Sequence, residues 1–193
     1  MLDNLKKYHI ILASNSPRRH ELMKGLGVDF EVKTLRNIDE SFPDDLRAND
    51  VAQFIAERKA DAYASIVHDN DLIITADTVV VLEDKILGKP HSRDEAIQML
   101  RALSGKTHHV VTGVCLLTVN DRKVFKSITN VQFAQLSEDE ITYYVDTYSP
   151  YDKAGAYGVQ EWIGYIGVEN IEGSYYNVMG LPIQKLYKEL KRL

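Results

Sequence analysis

Residues 8–19 read YHIILASNSPRR, a short apolar run that passes directly into polar residues and a proline. The apolar part is rich in residues that favour β-strands. The serines and asparagine that follow are typical helix-capping residues, and Pro17 suits the first position of a helix, where its missing N–H is not needed. The stretch therefore predicts a strand, a short loop and a helix, and we expect the helix to end near Gly27.

The rest of the chain alternates between the spacing of helices and the runs of strands. Ser92 and Ser137 are each followed three residues later by glutamate, which predicts two helix starts with a capping box. Residues 110–119 and 123–136 are two β-rich runs around a short polar turn, so they predict a long hairpin. Further strands are predicted at residues 30–35 and 72–82, the second as a strand pair or one long bent strand, and further helices at residues 51–66 and from Pro182 onward. We therefore expect a mixed α/β fold, formed by one domain over residues 1–193.

The composition is that of a mildly acidic globular protein. The chain has 193 residues, 23 lysines and arginines against 28 aspartates and glutamates, and 45% hydrophobic residues. A chain of this size and composition can form a core, which excludes a disordered or fibrous protein. The formal charge of -5 removes the general attraction to nucleic acid, so DNA and RNA are not expected partners.

The single cysteine, Cys115, lies in an apolar run and is expected to be a buried, unreactive thiol. No apolar stretch approaches the roughly 18 residues of a membrane span, and the first residues do not resemble a signal peptide. We therefore expect no membrane partner and a cytoplasmic location.

Residues 13–19 place two hydroxyls, the backbone N–H groups of a helix start and two guanidinium groups within one turn. Helix N-termini favour negative charge, and arginine offers paired donors that match phosphate oxygens. Ser14, Arg18 and Arg19 are therefore candidates for binding an anion. The same pattern also fits an ordinary capped helix whose arginines lie in solvent.

A second candidate is Asp77, a carboxylate inside the apolar run IITADTVVV at residues 73–81. Burying a carboxylate is costly unless it is paired, bound to a metal or placed at a strand end, so Asp77 fits a metal ligand or a general base. It also fits an edge aspartate that faces water. Lys59 and Lys89 could supply positive charge to a polyphosphate, and Glu40 could bind a metal, although each also fits a surface residue.

The late segment DKAGAYGVQ at residues 152–160 has small residues that permit close backbone approach, and it ends on Gln160, whose amide can pair with the edge of a base. A flexible loop is the alternative. The six histidines form no HExxH pattern, and the chain has neither a Walker A sequence nor GxGxxG. A zinc protease, a P-loop NTPase and a Rossmann dehydrogenase are therefore disfavoured.

Several short motifs follow one another along the chain. They are ASNSPRR at residues 13–19, Glu40, KA at 59–60, ADT at 76–78, GKP at 88–90, LSGKTH at 103–108, KAGAYGVQ at 153–160, and GSY at 173–175 with GLP at 180–182. In this order they resemble the Maf family of nucleoside triphosphate pyrophosphatases, over nearly the whole chain. The KAGAYGVQ form is similar to the branch that acts on dTTP, UTP and related pyrimidine nucleotides.

The resemblance implies a fold like that of the inosine triphosphatase-like superfamily, an elongated mixed β-sheet flanked by helices, in two lobes with a central cleft. It also implies that a small-molecule nucleoside triphosphate is hydrolysed to the monophosphate and pyrophosphate with a divalent cation, Mg2+ or Mn2+, which limits the incorporation of non-standard nucleotides. Homodimers are expected. The alternative is a nucleotide-binding regulator of septum formation for which turnover has no physiological role.

Site roles carry over by position. The resemblance implies that Asp77 is the proton acceptor and, with Glu40, a metal ligand. It implies phosphate binding by Ser14, Arg19, Lys59 and Lys89, and a role in separating substrate classes for Arg18, Thr78 and Gln160.

Overall fold

The computed structural model describes residues 2–193, so that Met1, which belongs to the predicted domain, lies outside the described residues. One mixed sheet is flanked by helices. The seven strands of the sheet are β1 (His9–Leu12), β2 (Glu31–Val32), β3 (Asp71–Leu82), β4 (Lys85–Leu87), β5 (Thr107–Leu117), β6 (Arg122–Phe133) and β7 (Val168–Glu172). The α-helices are α1 (Pro17–Gly25), α2 (Ala48–Tyr63), α3 (Arg93–Leu103), α4 (Glu138–Tyr148), α5 (Trp162–Gly167), α6 (Tyr175–Met179) and α7 (Ile183–Leu190). The predicted mixed α/β class is confirmed.

Strand β3 lies at the centre of the sheet and has an interrupted edge. On one side it pairs with β5 in an antiparallel ladder from Ile73 to Val81. On the other side, its parallel pairing with β1 ends at Ile74, and its antiparallel pairing with β4 begins at Val80. Between those two residues, this edge of β3 has no strand neighbour among the described elements. Asp77 lies in that gap.

The two faces of β3 contact different cores. On one face, Leu72 belongs to a cluster with α1 and α7, whereas Val80 belongs to a cluster with α3 and α4. The other face carries Ile73 and Val79, which pack against α2. Two separate cores on one face give two lobes, and a cleft opens between them around the middle of β3. The predicted arrangement of two lobes and a central cleft is confirmed.

Several predicted elements differ in detail. The strand predicted over residues 30–35 is only Glu31–Val32, because it pairs with β1 alone and both of its side chains are exposed. Residues 72–82 form one strand and not a strand pair. Ser137 has the full capping box, whereas Ser92 accepts from the Glu95 N–H without it. The Glu95 carboxylate accepts instead from the His91 N–H at 2.7 Å.

Residues 151–182 lack periodicity because their elements are short. They contain α5, β7 and α6, each of five or six residues, and a single 3₁₀ turn at Ala154–Ala156. Elements of this length complete too few turns to produce a spacing signal.

Cys115 is fully buried in β5, and burial raises the pKa of its thiol to about 12, as expected for an unreactive cysteine. Among residues 2–193, no helix is both long enough and apolar enough to span a membrane.

Candidate active site

A cleft of about 500 Å³ opens at the gap in the edge of β3. This is within the range of volumes that hold small-molecule ligands. The cleft brings together all nine residues that sequence reasoning selected, although they come from six separate parts of the chain. They are Ser14, Arg18, Arg19, Glu40, Lys59, Asp77, Thr78, Lys89 and Gln160.

Lys59 joins the two candidate carboxylates of the cleft. Its ammonium donates to Asp77 Oδ1 at 2.8 Å and lies 3.2 Å from Glu40 Oε1. The side chains of Lys59 and Asp77 are only 15% and 16% exposed, whereas that of Glu40 is 53% exposed. Two carboxylates therefore share one cation, which offsets the cost of placing Asp77 within an apolar strand.

Small residues bring α2, and Lys59 with it, close to the sheet. Ala52, Ala56 and Ala60 recur at every fourth position and are completely buried. Gly113 on β5 lies directly opposite Asp77 in the ladder. A Cβ at Gly113 would lie 2.4 Å from the backbone of α2, so only glycine permits this approach.

The irregular segment that carries Glu40 is tied back to α2 at two points. The Tyr63 hydroxyl accepts from the Leu35 N–H at 2.9 Å and donates to the Lys33 carbonyl at 2.8 Å. Arg58 donates to Asp39 at 3.0 Å. Both anchors are on α2, so the helix that holds Lys59 also positions the second carboxylate.

Arg19 is largely committed to protein acceptors. Its Nε donates to the Gly180 carbonyl at 2.8 Å, and one terminal nitrogen donates to the Ala76 carbonyl at 2.9 Å and to Ser14 Oγ at 3.4 Å. The other terminal nitrogen donates to Thr78 Oγ1 at 3.0 Å. Burial lowers the pKa of this guanidinium, an effect that the charge of Asp77 opposes. Arg19 thus satisfies the open edge of β3 and ties α1 to the turn after α6.

The start of α1 is not capped by a side chain. Ser16 occupies the N-cap position but makes no capping hydrogen bond, while Ser14 Oγ accepts from the Ser16 N–H at 3.2 Å. The alternative of a capped helix with solvated arginines therefore does not describe this helix. Ser16, Pro17, Arg18 and Arg19, at the start of α1, all line the cleft.

On the other side of the cleft, Asp152 lies between two cations. Arg18 donates to its Oδ2 at 2.8 Å, and Lys153 donates to its Oδ1 at 2.7 Å. Burial disfavours the charged form of Asp152, but the hydrogen bonds from Lys153 and Arg18 outweigh it and lower the pKa of the carboxyl to about 2. Sequence reasoning gave no role to Asp152 or Lys153. The signal available was a lysine within a segment of glycine and alanine, where a charged side chain is unexpected.

The segment after Lys153 is buried and is not the flexible loop considered as an alternative. Lys153 lies 3.0 Å from Glu161 Oε1, and the Tyr144 hydroxyl donates to Glu161 Oε2. The same hydroxyl accepts from the Gly158 N–H at 3.0 Å. These contacts fix the segment to α4, and Gly155 to Val159 are all buried.

The remaining predicted residues have different surroundings. Thr78 Oγ1 accepts from Arg19 and also bonds the Thr112 hydroxyl at 2.9 Å, so it is already occupied. Lys89 is exposed and forms no ion pair with any residue in the part of the chain that the structure describes. Gln160 Oε1 is buried in the cleft wall without a hydrogen-bond partner among residues 2–193.

A cleft in a mixed sheet, lined by carboxylates that are paired with cations, is typical of an enzyme that binds a polar ligand. The family described as Maf-like protein matches residues 9–193, and the chain belongs to this family.

Three relatives that match this chain over nearly its full length share one name. A dTTP/UTP pyrophosphatase of Bacteroides thetaiotaomicron is 63% identical over 193 residues, with 100% of both chains covered. Proteins with the same name from Porphyromonas gingivalis and Flavobacterium johnsoniae are 54% and 46% identical, and the matches cover 97% and 98% of their own lengths and 99% of this chain.

Among solved structures, a HAM1 protein from Coxiella burnetii is similar with a TM-score of 0.51 and 16% sequence identity. The match covers 96% of this chain and 100% of that chain. At this identity the likeness concerns the fold alone, and it confirms the inosine triphosphatase-like fold expected from the sequence.

Proposed function

We propose that this protein hydrolyses dTTP, UTP and related pyrimidine nucleoside triphosphates to the monophosphate and pyrophosphate. The observation that carries the proposal is the pairing of Asp77 with Lys59 at the gap in β3, opposite the cations around Asp152. The full-length relatives named dTTP/UTP pyrophosphatase support the same reaction and substrates.

In the proposed reaction, water attacks phosphorus and the bond between the α- and β-phosphates breaks, so that pyrophosphate leaves. Asp77 accepts the proton of the attacking water, and Lys59 holds this carboxylate in place. Arg18, Lys89 and the first turn of α1 bind the phosphate oxygens. Arg19 has most of its donors occupied, so it contributes its charge and the position of α1.

The carboxylates fit a divalent cation such as Mg2+ or Mn2+. Within residues 2–193 there is no group of three or more histidine, cysteine, aspartate or glutamate side chains that could enclose a metal ion. Magnesium is commonly bound by one or two carboxylates together with substrate phosphates, and Glu40 and Asp77 supply two hard oxygen ligands. A metal bound there would neutralise charge on the phosphates.

Gln160 supports the choice of pyrimidine. Its buried Oε1 lacks a partner, and a buried acceptor without a donor is costly. Uracil and thymine carry an N3–H donor that would satisfy it, whereas N3 of cytosine carries no hydrogen. Thr78 has its hydroxyl occupied by Arg19 and Thr112, so we assign base recognition to Gln160 and give Thr78 the role of positioning Arg19.

The alternative, a nucleotide-binding regulator of septum formation without relevant turnover, is not favoured. Binding alone would not require a carboxylate held by a lysine beside the phosphate-binding turn. The remaining expectations stay predictions. They are a single domain over residues 1–193, a cytoplasmic location, a homodimer, no binding of nucleic acid, and a role in limiting the incorporation of non-standard nucleotides.

The test is pyrophosphate release from a panel of dTTP, UTP, CTP, ATP and GTP, with Mg2+, with Mn2+ and with a chelator. We expect turnover of dTTP and UTP that requires the added metal. Tight binding of these nucleotides with no pyrophosphate release in either metal would support the regulator instead. Turnover that persists in the chelator would remove the metal from the proposal while leaving the reaction.

A further inference from the structure

The residue between the two cations of the cleft, Asp152, has no part in the reaction proposed above. Its carboxylate has one oxygen on Arg18 at 2.8 Å and the other on Lys153 at 2.7 Å. This is the arrangement that two oxygens of a phosphate group would adopt between an arginine and a lysine.

The contact joins the two lobes. Arg18 belongs to α1, which packs in the core with α7, whereas the segment of Asp152 and Lys153 follows α4 in the other lobe. Arg18 and Asp152 are 134 positions apart in sequence. The ion pair therefore bridges the two lobes within the lining of the cleft that a ligand must enter.

Asp152 is also the member of the cluster that can leave at the lowest cost. Its side chain is 58% exposed, whereas those of Arg18 and Lys153 are 23% and 10% exposed. When Asp152 moves into solvent, Lys153 keeps Glu161 as a partner, so the segment stays attached to α4. Only the carboxylate of this cluster is exposed, so it is the group that a polyphosphate can reach from solvent and replace.

We infer that Asp152 is an internal competitor of the polyphosphate for Arg18 and Lys153. By this competition, Asp152 sets the affinity of the cleft for phosphate ligands and assists release of the products. This inference rests on the proposed function, in which the polyphosphate enters the same cleft. An anionic ligand that takes the position between Arg18 and Lys153 must displace Asp152, whereas an uncharged nucleoside does not. Removing the negative charge should therefore strengthen the binding of anions alone.

The test compares the wild type with Asp152→Asn, and with Asp146→Asn as a matched control. Asp146 forms an exposed ion pair with Arg93 away from the cleft, so its variant makes the same chemical change without touching Arg18 or Lys153. Calorimetry measures the affinity for inorganic tripolyphosphate, dTMP and thymidine, and steady-state kinetics measure KM and kcat for dTTP. Asp152→Ser provides a second variant that removes the charge with a smaller side chain.

We expect Asp152→Asn and Asp152→Ser to bind tripolyphosphate at least about threefold more tightly and to lower KM for dTTP by a similar factor, with thymidine binding unchanged. Product inhibition by dTMP should increase. Unchanged or weaker tripolyphosphate binding in both variants would overturn the inference, and so would a wild type that does not bind tripolyphosphate. A wild type that binds tripolyphosphate but does not hydrolyse dTTP or UTP would count against the proposed function and leave the competitor role standing, because calorimetry does not depend on turnover.

Discussion

The two sides of the cleft hold their charges in opposite ways. On the β3 side, the single ammonium of Lys59 is shared by the carboxylates of Glu40 and Asp77. On the other side, the single carboxylate of Asp152 is shared by two cations, Arg18 and Lys153. Two carboxylates thus meet at one ammonium on the β3 side, and two cations meet at one carboxylate on the other side, while Arg19 and Glu161 bring the total charge of each side close to balance.

The difference matches what a metal-dependent reaction of a polyphosphate needs. Carboxylates grouped around one ammonium can bind a divalent cation and take a proton, whereas cations grouped around one carboxylate can bind phosphate oxygens. The two sides also differ in construction. Lys59 lies on a long regular helix that packs on the sheet, whereas Lys153 lies on an irregular segment held by the Glu161 and Tyr144 side chains.

The largest effect should come from Asp77→Asn, which removes the proton acceptor from the β3 side alone. We expect kcat for dTTP to fall by roughly 100-fold or more, the scale of losing a general base, while the free energy of unfolding and the affinity for dTTP change little. Pyrophosphate release, thermal unfolding and calorimetry check the three quantities. Near-normal turnover in the folded variant would assign the proton acceptor elsewhere, and Glu40 would then be the first residue to replace.

Acid should destabilise the side of the cleft that carries Asp152 and Lys153. His108 bonds the Tyr157 hydroxyl at 2.7 Å, and burial, with a smaller contribution from the charge of His109, lowers the pKa of His108 to about 4. Its pKa in the unfolded chain is about 6.5, so between these values the unfolded chain binds more protons. The contribution of His108 to the free energy of unfolding is fully present above about pH 6.5. It is lost as the pH falls towards 4, by up to about 3 kcal/mol.

The check is the free energy of unfolding from about pH 7 to about pH 5 in the wild type and in His108→Gln. The wild type should lose more stability over this range than the variant does. The comparison with the variant is needed because His9, whose pKa is raised first of all by its hydrogen bond to Asp71, acts in the opposite direction. Equal slopes for the two proteins would show that His108 does not carry the effect.

Gly113→Ala should move α2 relative to β3 without changing any charge on that side of the cleft. The added Cβ would meet the backbone of α2 at 2.4 Å, so the helix must shift and carry Lys59 away from Asp77. We expect a loss of about 1–3 kcal/mol of stability, measured by thermal unfolding, together with lower turnover. Gly25→Ala is the control, because a Cβ there meets nothing within 4 Å. If Gly113→Ala left turnover unaltered, the close approach of α2 would not be what positions Lys59.

The smallest effect concerns the base. We expect kcat/KM for dTTP and UTP to exceed that for CTP, ATP and GTP by at least about tenfold, which corresponds to about 1.4 kcal/mol. Gln160→Ala should narrow this gap, because its unpaired Oε1 is assigned to the N3–H of uracil and thymine. The measurement is kcat/KM for all five nucleotides in both proteins. A uniform decrease with unchanged ratios would instead mean that Gln160 supports the segment and does not contact the base.

Local patterns were sufficient for much of the fold. The strand and helix around residues 8–19, the hairpin of β5 and β6, and the start of α4 at Ser137 all agree with the sequence predictions, because each depends on neighbours within a few residues. The strand over residues 30–35 was predicted too long, because a β-rich run forms a strand only where another strand pairs with it. The elements between residues 151 and 182 were too short to be predicted.

The sequence by itself determined which chemical groups this protein can bring to a site. Asp77 stood out because a carboxylate is unusual within an apolar run, whereas Lys59 and Gln160 were selected through the order of the family motifs, and all three line one cleft. Only the tertiary structure decided which donors and acceptors of the side chains in this cleft remain available to a ligand. Arg19 reaches a carbonyl 161 positions away, and Arg18 reaches a carboxylate 134 positions away. Whether a donor faces a ligand or the protein depends on such distant partners, because hydrogen bonds form between groups that are close in space, whatever their separation along the chain.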